Sequence, residues 1–250
     1  GGWSNQGNAT HNTVVLNTGA PTLGGTQIYG GFSNNSSADV ITGNTLKVTS
    51  KSNSTQFNNF EKLEFELNSG IASGDTMLGG QSNVGFDWSN ITVSKADEWR
   101  SGATGTKRVT LYAGNPLTIR NYDPVATRHV DGDFEYGLLT DVANSGASVT
   151  ANRIYFDVNK FQNGNVATTT SGTGPLYGGT STLGNTTNHN TVTLSHTWGG
   201  DIYGGYTQST TGDSNYNTLV LNPNGYNNNR YMYGGWSNQG NATHNTVVLN

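Results

Sequence analysis

The residues of this chain that could do chemistry are few, and the densest group is acidic. Asp131, Asp133 and Glu135 alternate along one short stretch, with Asp123 and Asp141 nearby. Carboxylate oxygens suit Ca²⁺, and acids on adjacent coils can be paired as general acid and base. The cluster lacks the full spacing of an EF-hand loop or a calcium-binding repeat turn. Three interpretations stay open: a solvated turn, a structural calcium site and a catalytic pair.

Histidines form the second set of candidates. His11 and His244 occupy one repeated sequence position, and His189 precedes Asn190 in the equivalent position. A row of His at matching positions could bind a metal ion, but no Asp, Glu or Cys shares their spacing, so we interpret them as loop residues beside a row of Asn. No nucleophile elbow, phosphate loop or zinc motif is present. We therefore expect no enzyme activity, and no cofactor beyond a structural calcium ion.

Aromatic residues recur at fixed positions and form the third set. Four Tyr-Gly-Gly segments each follow an aliphatic residue, and the position after the second Gly is usually aromatic. Stacked in register, these rings would form a ladder that stabilises the fold. They could instead form a platform on which aromatic faces and Asn amides bind a sugar. The candidate binding residues are Trp3, Tyr29, Phe32, Tyr177, Tyr203, Tyr206, Tyr233 and Trp236.

Repeated elements must position these residues. Each Tyr-Gly-Gly segment is followed, a dozen or so positions after its Tyr, by an Asn-Thr-[Val/Leu] segment. There apolar residues alternate, as in a half-buried strand. The Gly pair suits either a corner or a close approach between coils. Two short strands and two turns in about 28 residues predict one coil of a β-solenoid, which must stack on neighbouring coils to bury its apolar face.

A longer repeat encloses the short one. Residues 1–17 recur without change at 234–250. This identity predicts that the parent protein is a tandem array and that the sequence is a piece containing one period; a deliberately duplicated end is the alternative. Neighbouring repeats are then the expected partners, stacked coil on coil. Identical ends could also pair head to tail, which makes a self-assembling filament subunit a second hypothesis.

Composition limits the fold class. The chain has 35 Gly, 35 Thr and 34 Asn, and only 32% of its residues are hydrophobic. It therefore lacks the aliphatic side chains for one thick core but can bury a thin, continuous one, with Asn, Gly and Thr in turns and on solvent faces. We predict an all-β solenoid. Its expected divisions are coils in 1–51, an elaborated or protruding β region in 52–170 that holds 22 of the 28 charged residues, and coils in 171–250.

Charge and hydropathy exclude several classes of partner. A net charge of −4 with only 12 Lys and Arg gives no basic face for nucleic acid. No apolar run approaches the ~20 residues of a membrane span. Because the chain has no Cys, its stability must come from stacked hydrogen bonds rather than disulfides.

The repeated segments resemble a known family. Residues 233–247 (YGGWSNQGNATHNTV) are similar to the repeats of large autotransporter passengers from anaerobic bacteria with a Gram-negative cell wall. Residues 59–65 (NFEKLEF) and 71–78 (IASGDTML) are similar to a segment that interrupts such passengers. The pattern departs from the family after Leu78, where Gly79-Gly80 follows.

The resemblance implies a right-handed β-helix on the cell surface, carried there by a C-terminal barrel outside this sequence. Passengers of this kind are not generally enzymes. The expected function is one tandem repeat of an extended extracellular fibre, either an adhesin for a surface glycan or protein, or a spacer. A glycan-processing β-helix enzyme is the remaining hypothesis.

Overall fold

Almost the whole chain folds into β-strands. The computed structural model describes residues 1–17, 23–103, 105–143, 145–208, 211–225 and 230–250, and it is 52% strand and 3% helix. The strands are β1 (Gly2–Ser4), β2 (Thr13–Leu16), β3 (Leu23–Tyr29), β4 (Gly31–Ser33), β5 (Thr45–Val48), β6 (Ser52–Asn58), β7 (Lys62–Glu66), β8 (Thr76–Ser82), β9 (Phe86–Asp87), β10 (Ile91–Ser94), β11 (Lys107–Tyr122), β12 (His129–Asp131), β13 (Phe134–Thr140), β14 (Gly146–Lys160), β15 (Asn165–Thr168), β16 (Leu176–Ser181), β17 (Thr187–Asn188), β18 (Thr191–Leu194), β19 (Ile202–Thr207), β20 (Ser214–Asn215), β21 (Thr218–Leu221), β22 (Met232–Ser237) and β23 (Thr246–Leu249). A 3₁₀ turn covers Trp88–Asn90, and a short helix, α1, covers Ala96–Arg100.

Most neighbouring strands pair in parallel, each with the strand one coil further along the chain. One sheet of four strands has the order β10-β7-β5-β2, and another has the order β15-β18-β21-β23. Parallel strands that return to the same position after every turn define a β-solenoid, here of about 8 turns. The predicted all-β solenoid is therefore confirmed.

The described chain forms two compact units. Unit 1 contains residues 1–103, 107–124 and 138–156, and unit 2 contains residues 104–106, 125–137 and 157–250. Within unit 1, β6 pairs with β3 and β7 pairs with β5. Residues 52–103 thus continue the coils of the preceding residues, as an elaborated stretch of the same solenoid would.

Unit 1 buries a thin column of apolar side chains. Leu46, Leu63 and Ile91 occupy matching positions on successive strands, and each is at most 2% exposed. The strands of this sheet follow one another at uneven intervals along the chain, and the loops absorb the difference in length. Elsewhere in the unit, Phe57 and Tyr112 pack edge to face with ring centroids 5.9 Å apart. The core therefore continues from coil to coil, as the composition predicts.

Unit 2 has coils of nearly constant length. Strands β15, β18, β21 and β23 follow one another at almost equal intervals, and their paired first residues are Asn165, Thr191, Thr218 and Thr246. In β18, Val192 and Leu194 are fully buried while Thr191 and Thr193 are half-buried. Leu219 continues the buried column in β21. The alternation expected of the Asn-Thr-[Val/Leu] segments is therefore present.

An antiparallel hairpin in unit 2 departs from the coil pattern. Strand β12 pairs with β13, with His129 opposite Tyr136 and Asp131 opposite Phe134. Gly132 forms the turn with a φ of 57°, a left-handed conformation that glycine adopts at little cost. This hairpin carries the acidic cluster.

Candidate functional site

Each coil of unit 2 enters its Asn-Thr strand through a residue in the left-handed region. His189, Tyr216 and His244 have φ values of 53°, 55° and 55°, and each directly precedes an Asn. Their rings stack along the coils, with centroids 5.3 Å and 4.8 Å apart. In unit 1, His11 has the same conformation, with φ 58°. The repeated histidines therefore mark a corner of the coil.

The Asn residues that follow these corners form a buried ladder. Asn190 donates from its backbone N–H and from Nδ2 to Oδ1 of Asn217, at 3.1 and 2.9 Å. Asn217 donates in the same way to Oδ1 of Asn245, at 2.9 and 3.0 Å. In unit 1, Asn12 donates likewise to Asn44, at 2.8 and 3.0 Å. Asn190, Asn217 and Asn44 are fully buried, so the expectation that Asn fills turns and solvent faces is wrong for the ladder.

The Gly pairs make room for this ladder. A Cβ on Gly205 would lie 2.5 Å from Nδ2 of Asn217, and one on Gly235 would lie 2.5 Å from Oδ1 of Asn245, closer than real Cβ atoms come. These glycines lie inside strands β19 and β22 and have no positive φ. The close approach between coils is made by the first Gly of the pair, since a Cβ on Gly204 would lie 2.2 Å from the carbonyl oxygen of Gly234 in the next coil.

Two rows of aromatic side chains lie beside the Gly pairs of unit 2; we call them together the aromatic face. In the first row, Tyr203 stacks on both Tyr177 and Tyr233, with ring centroids 5.3 Å apart in each case. In the second row, Tyr206 stacks on Trp236 at 4.7 Å, with 10° between the ring planes. The rows also contact each other, since Tyr203 and Tyr206 pack edge to face at 4.8 Å. The structure thus brings together five of the eight aromatic candidates.

The rings of the aromatic face cover one another. In the first row the planes are only 22° and 11° apart, so the faces of Tyr203 are occupied by its two neighbours. A sugar that stacks on an aromatic ring needs an open ring face, and Tyr203 offers none within this stack. Burial raises the pKa of Tyr203 to about 12, with a smaller contribution from Asp201.

The other three aromatic candidates lie in unit 1. Trp3 and Phe32 occupy paired positions on β1 and β4 and are 66% and 39% exposed. Tyr29 packs edge to face on Phe32, with centroids 5.6 Å apart, and donates a hydrogen bond to Oε1 of Gln27. These residues form a second, more open aromatic cluster.

The segment that occurs twice folds into a coil that we call the shared coil. As residues 1–17 it pairs with the coil that follows it, Trp3 with Phe32 and Thr13–Leu16 with Thr45–Val48. As residues 234–250 it pairs with the coil that precedes it, Trp236 with Tyr206 and Thr246–Leu249 with Thr218–Leu221. One sequence therefore forms parallel pairs through both of its strand edges.

The acidic candidates do not converge on one point. Asp131 is exposed on β12, and Asp133 accepts a hydrogen bond from Nδ2 of Asn163 at 2.9 Å. Glu135 is fully buried. Among the residues that the structure describes, no three His, Cys, Asp or Glu side chains are grouped as metal ligands. The solvated-turn interpretation therefore fits Asp131, whereas Glu135 needs a different explanation.

Five donors surround the Glu135 carboxylate. Oε1 accepts from Asn159 Nδ2 at 3.0 Å and from the backbone N–H groups of Thr182 at 3.0 Å and Leu183 at 3.2 Å. Oε2 accepts from Ser181 Oγ at 3.1 Å and from Asn185 Nδ2 at 2.9 Å. Burial raises the pKa of Glu135, while the hydrogen bonds oppose that shift. We call this donor set the carboxylate cradle.

Sequence reasoning missed the cradle. In β13 a period of two places Glu135 on one face with Gly137 and Leu139, and places Phe134, Tyr136 and Leu138 on the other. The structure buries Leu138 as well as Glu135, Gly137 and Leu139, so alternation does not single out Glu135. Its donors come from residues 24 to 50 positions further along the chain, and no local pattern links them.

Comparison with protein-family models, with curated proteins and with solved structures gave no match. Across the described ranges, no helix has the length and apolar character needed to span a membrane.

Proposed function

We propose that this chain is one repeat of an extended extracellular surface fibre, in which it acts as a spacer. Its role is structural and non-catalytic, and its partners are the neighbouring repeats. The likeness of its segments to autotransporter passengers supports the cell-surface location. The observation that carries the proposal is the shared coil, which pairs through one strand edge in unit 1 and through the other in unit 2.

The hydrogen bonds of the shared coil support continuation from repeat to repeat. As residue 245, its Asn accepts from Asn217 through Oδ1, and as residue 12 it donates to Asn44. The backbone adds bonds of the opposite direction, in which the following coil donates to the preceding one: Thr246 N–H donates to Asn217 O, and Thr45 N–H donates to Asn12 O, each at 2.8 Å. A single copy between two repeats can make both sets of bonds at once. The ladder would then run through the junction without a break.

Exposure of the two copies supports the same conclusion. Leu16 is 5% exposed, whereas the identical Leu249 is 74% exposed. Ala9 is only 6% exposed and therefore buried, whereas its counterpart Ala242 is exposed, like Leu249. The reverse holds for Val15, which is 49% exposed, and its counterpart Val248, which is half-buried, so each copy buries the side chains that face the neighbour it has. In an array both neighbours are present, so both sets of apolar side chains would be buried, which favours stacking.

The aromatic residues also favour a spacer over an adhesin. The Trp of the shared coil stacks on Tyr206 in unit 2 and occupies a position paired with Phe32 in unit 1. In an array it would have a neighbour on each side. The aromatic rows then stabilise the stack and leave mainly ring edges for solvent, which suits a sugar platform poorly.

Adhesion is the second candidate function, and the hairpin of unit 2 favours it. Val130 is 53% exposed on β12, beside the exposed Asp131. An apolar side chain on a projecting hairpin is a reasonable contact point for a surface glycan or protein. The two candidates differ in whether the isolated chain binds anything.

Binding arrays of glycans and matrix proteins separate the two functions. The spacer proposal predicts that the full chain binds no arrayed ligand at micromolar concentration. Specific binding would contradict it. If that binding is lost in Val130→Ser and retained in Ile41→Ser, which alters a residue that is 37% exposed in unit 1, the hairpin is the adhesive site.

A further inference from the structure

We infer that the carboxylate cradle of unit 2 is a binding site for a carboxylate group, and that the side chain of Glu135 is its resident ligand. The cradle joins the backbone N–H groups of Thr182 and Leu183 to side chains of Asn159, Ser181 and Asn185. By occupying it, Glu135 straps the β12–β13 hairpin to the coil that follows β16. The inference concerns a site apart from the shared coil and does not depend on the fibre role.

The donor set is arranged for an anion. Three donors reach Oε1 and two reach Oε2, so both carboxylate oxygens are engaged. Consecutive backbone N–H groups aimed at one oxygen form the kind of nest that binds anions. Charge-assisted hydrogen bonds of this type are stronger than bonds between neutral groups. Polar groups that converge in this way on one buried carboxylate match its shape and offset part of the cost of burying its charge.

The cradle has no positive charge of its own. Among the described residues, the ion pairs do not include Glu135. Asp157 accepts from Thr182 Oγ1 at 3.1 Å, and Arg128 donates from Nη1 to Leu183 O at 3.1 Å. Lys160 lies with Nζ 6.0 Å from the centroid of the Phe134 ring. Neutral dipoles therefore hold the carboxylate, which makes a small anion a suitable substitute for it.

Removal of the Glu135 side chain tests the tether. The tip of the hairpin is exposed from His129 to Gly132. Besides Glu135, the contacts of the hairpin include Asp133, whose carbonyl oxygen accepts from Phe161 N–H at 3.0 Å and whose carboxylate accepts from Asn163, and Gly132, whose carbonyl oxygen accepts from Gln162 Nε2 at 3.5 Å. Removal of the Glu135 side chain would leave five donors around an empty space. A free carboxylate of similar size should then enter it.

Rescue by formate tests the inference. Glu135→Ala is expected to lower the Tm of the full chain, and sodium formate is expected to raise it again by about 2–4 °C in a saturable manner, relative to sodium chloride at equal ionic strength. Glu98→Ala, which alters an exposed Glu on α1, should show neither the loss nor the rescue. No response of Glu135→Ala to formate, or an equal response of both variants, would overturn the inference.

Amide hydrogen exchange in the unaltered chain and in Glu135→Gln gives a second test of the inference, which does not require Glu135→Ala to fold. In the unaltered chain the amides of Thr182 and Leu183 should be among the most protected of unit 2, since Glu135 is their acceptor. Glu135→Gln retains one acceptor oxygen and should keep at least partial protection of these amides, and formate should not change its Tm. Rapid exchange at both amides in the unaltered chain would show that the cradle does not hold a carboxylate.

Discussion

At the level of single residues, buried Asn side chains hold neighbouring coils together in this solenoid, as buried apolar side chains hold together most protein cores. The amide of Asn217 is fully buried, yet each of its groups is satisfied: Oδ1 accepts from Asn190, and Nδ2 donates to Asn245 and to Thr187 O. Buried polar groups are costly only when left unpaired. A chain with 32% hydrophobic residues can therefore stack its coils through a hydrogen-bonded ladder.

Loss of one Asn side-chain amide from the ladder should lower the free energy of unfolding substantially. We expect Asn217→Ala to lower the free energy of unfolding by about 2–4 kcal/mol, because it leaves the buried N–H of Asn190 without its acceptor. Equilibrium unfolding in urea measures the change. Asn238→Ala, at an exposed position, should stay within about 0.5 kcal/mol. Equal effects of the two substitutions would mean that the ladder contributes nothing to stability.

The buried Glu135 should give unit 2 an unusual dependence on pH. Its folded-state pKa is raised above the ordinary value of 4.5, so between these two values the folded state binds more protons than the unfolded state. The stabilising contribution of the protonated group is therefore full below pH 4.5 and is lost as the pH rises through the folded pKa. Urea unfolding of the unaltered chain and of Glu135→Gln, measured over this interval, should show the decline in the first and a flatter profile in the second.

At the level of elements, each coil places its Tyr-Gly-Gly strand so that rings of successive coils stack. Tyr206 contacts Tyr177, Tyr203 and Trp236, with centroids 4.7 to 4.9 Å apart. The stacking follows from the register of β16, β19 and β22, which pairs Tyr177 with Tyr203 and Tyr203 with Tyr233. The aromatic face is thus one consequence of strand register, and the loops absorb differences in coil length.

Truncation of the most connected ring tests the structural role of this face. Tyr206→Ala should lower the free energy of unfolding by about 2–4 kcal/mol, through lost burial and three lost ring contacts. Tyr231→Ala should change it by less than about 1 kcal/mol, because Tyr231 is 69% exposed. Thermal and urea unfolding of the two variants measure the difference. A larger loss for Tyr231→Ala would contradict the assignment of the aromatic face to stability.

The coil itself could be predicted because its signals are local. Val192 and Leu194 alternate with Thr in sequence and in burial, and the spacing from Tyr203 to Asn217 sets the length of one half-coil. Burial of Asn217 was missed, since an Asn between a corner and a strand looks like a loop residue until the Gly205 beside it is known to make room. The Glu135 cradle was missed because its donors lie far along the chain.

At the level of the whole molecule, the shared coil connects the fold to the proposed function. The same repeated segment makes a Trp-to-Phe32 strand pair on one edge and a Trp-to-Tyr206 pair on the other. A sequence that must serve two neighbours at once has little freedom to vary, which would explain why both copies are identical. We therefore expect repeats to join through this coil and not through a flexible linker.

Hydrogen exchange at the junction of two repeats tests this claim most directly. The chain required is residues 1–233 followed by residues 1–250, which places one shared coil between two repeats. We predict that the amides of Thr-Val-Val-Leu in this junction coil exchange at least tenfold more slowly than those of the same sequence at 246–249, because only the junction copy has a neighbouring strand on both edges. Equal exchange at the two places would contradict the account, since it would mean that the repeats do not form a continuous stack.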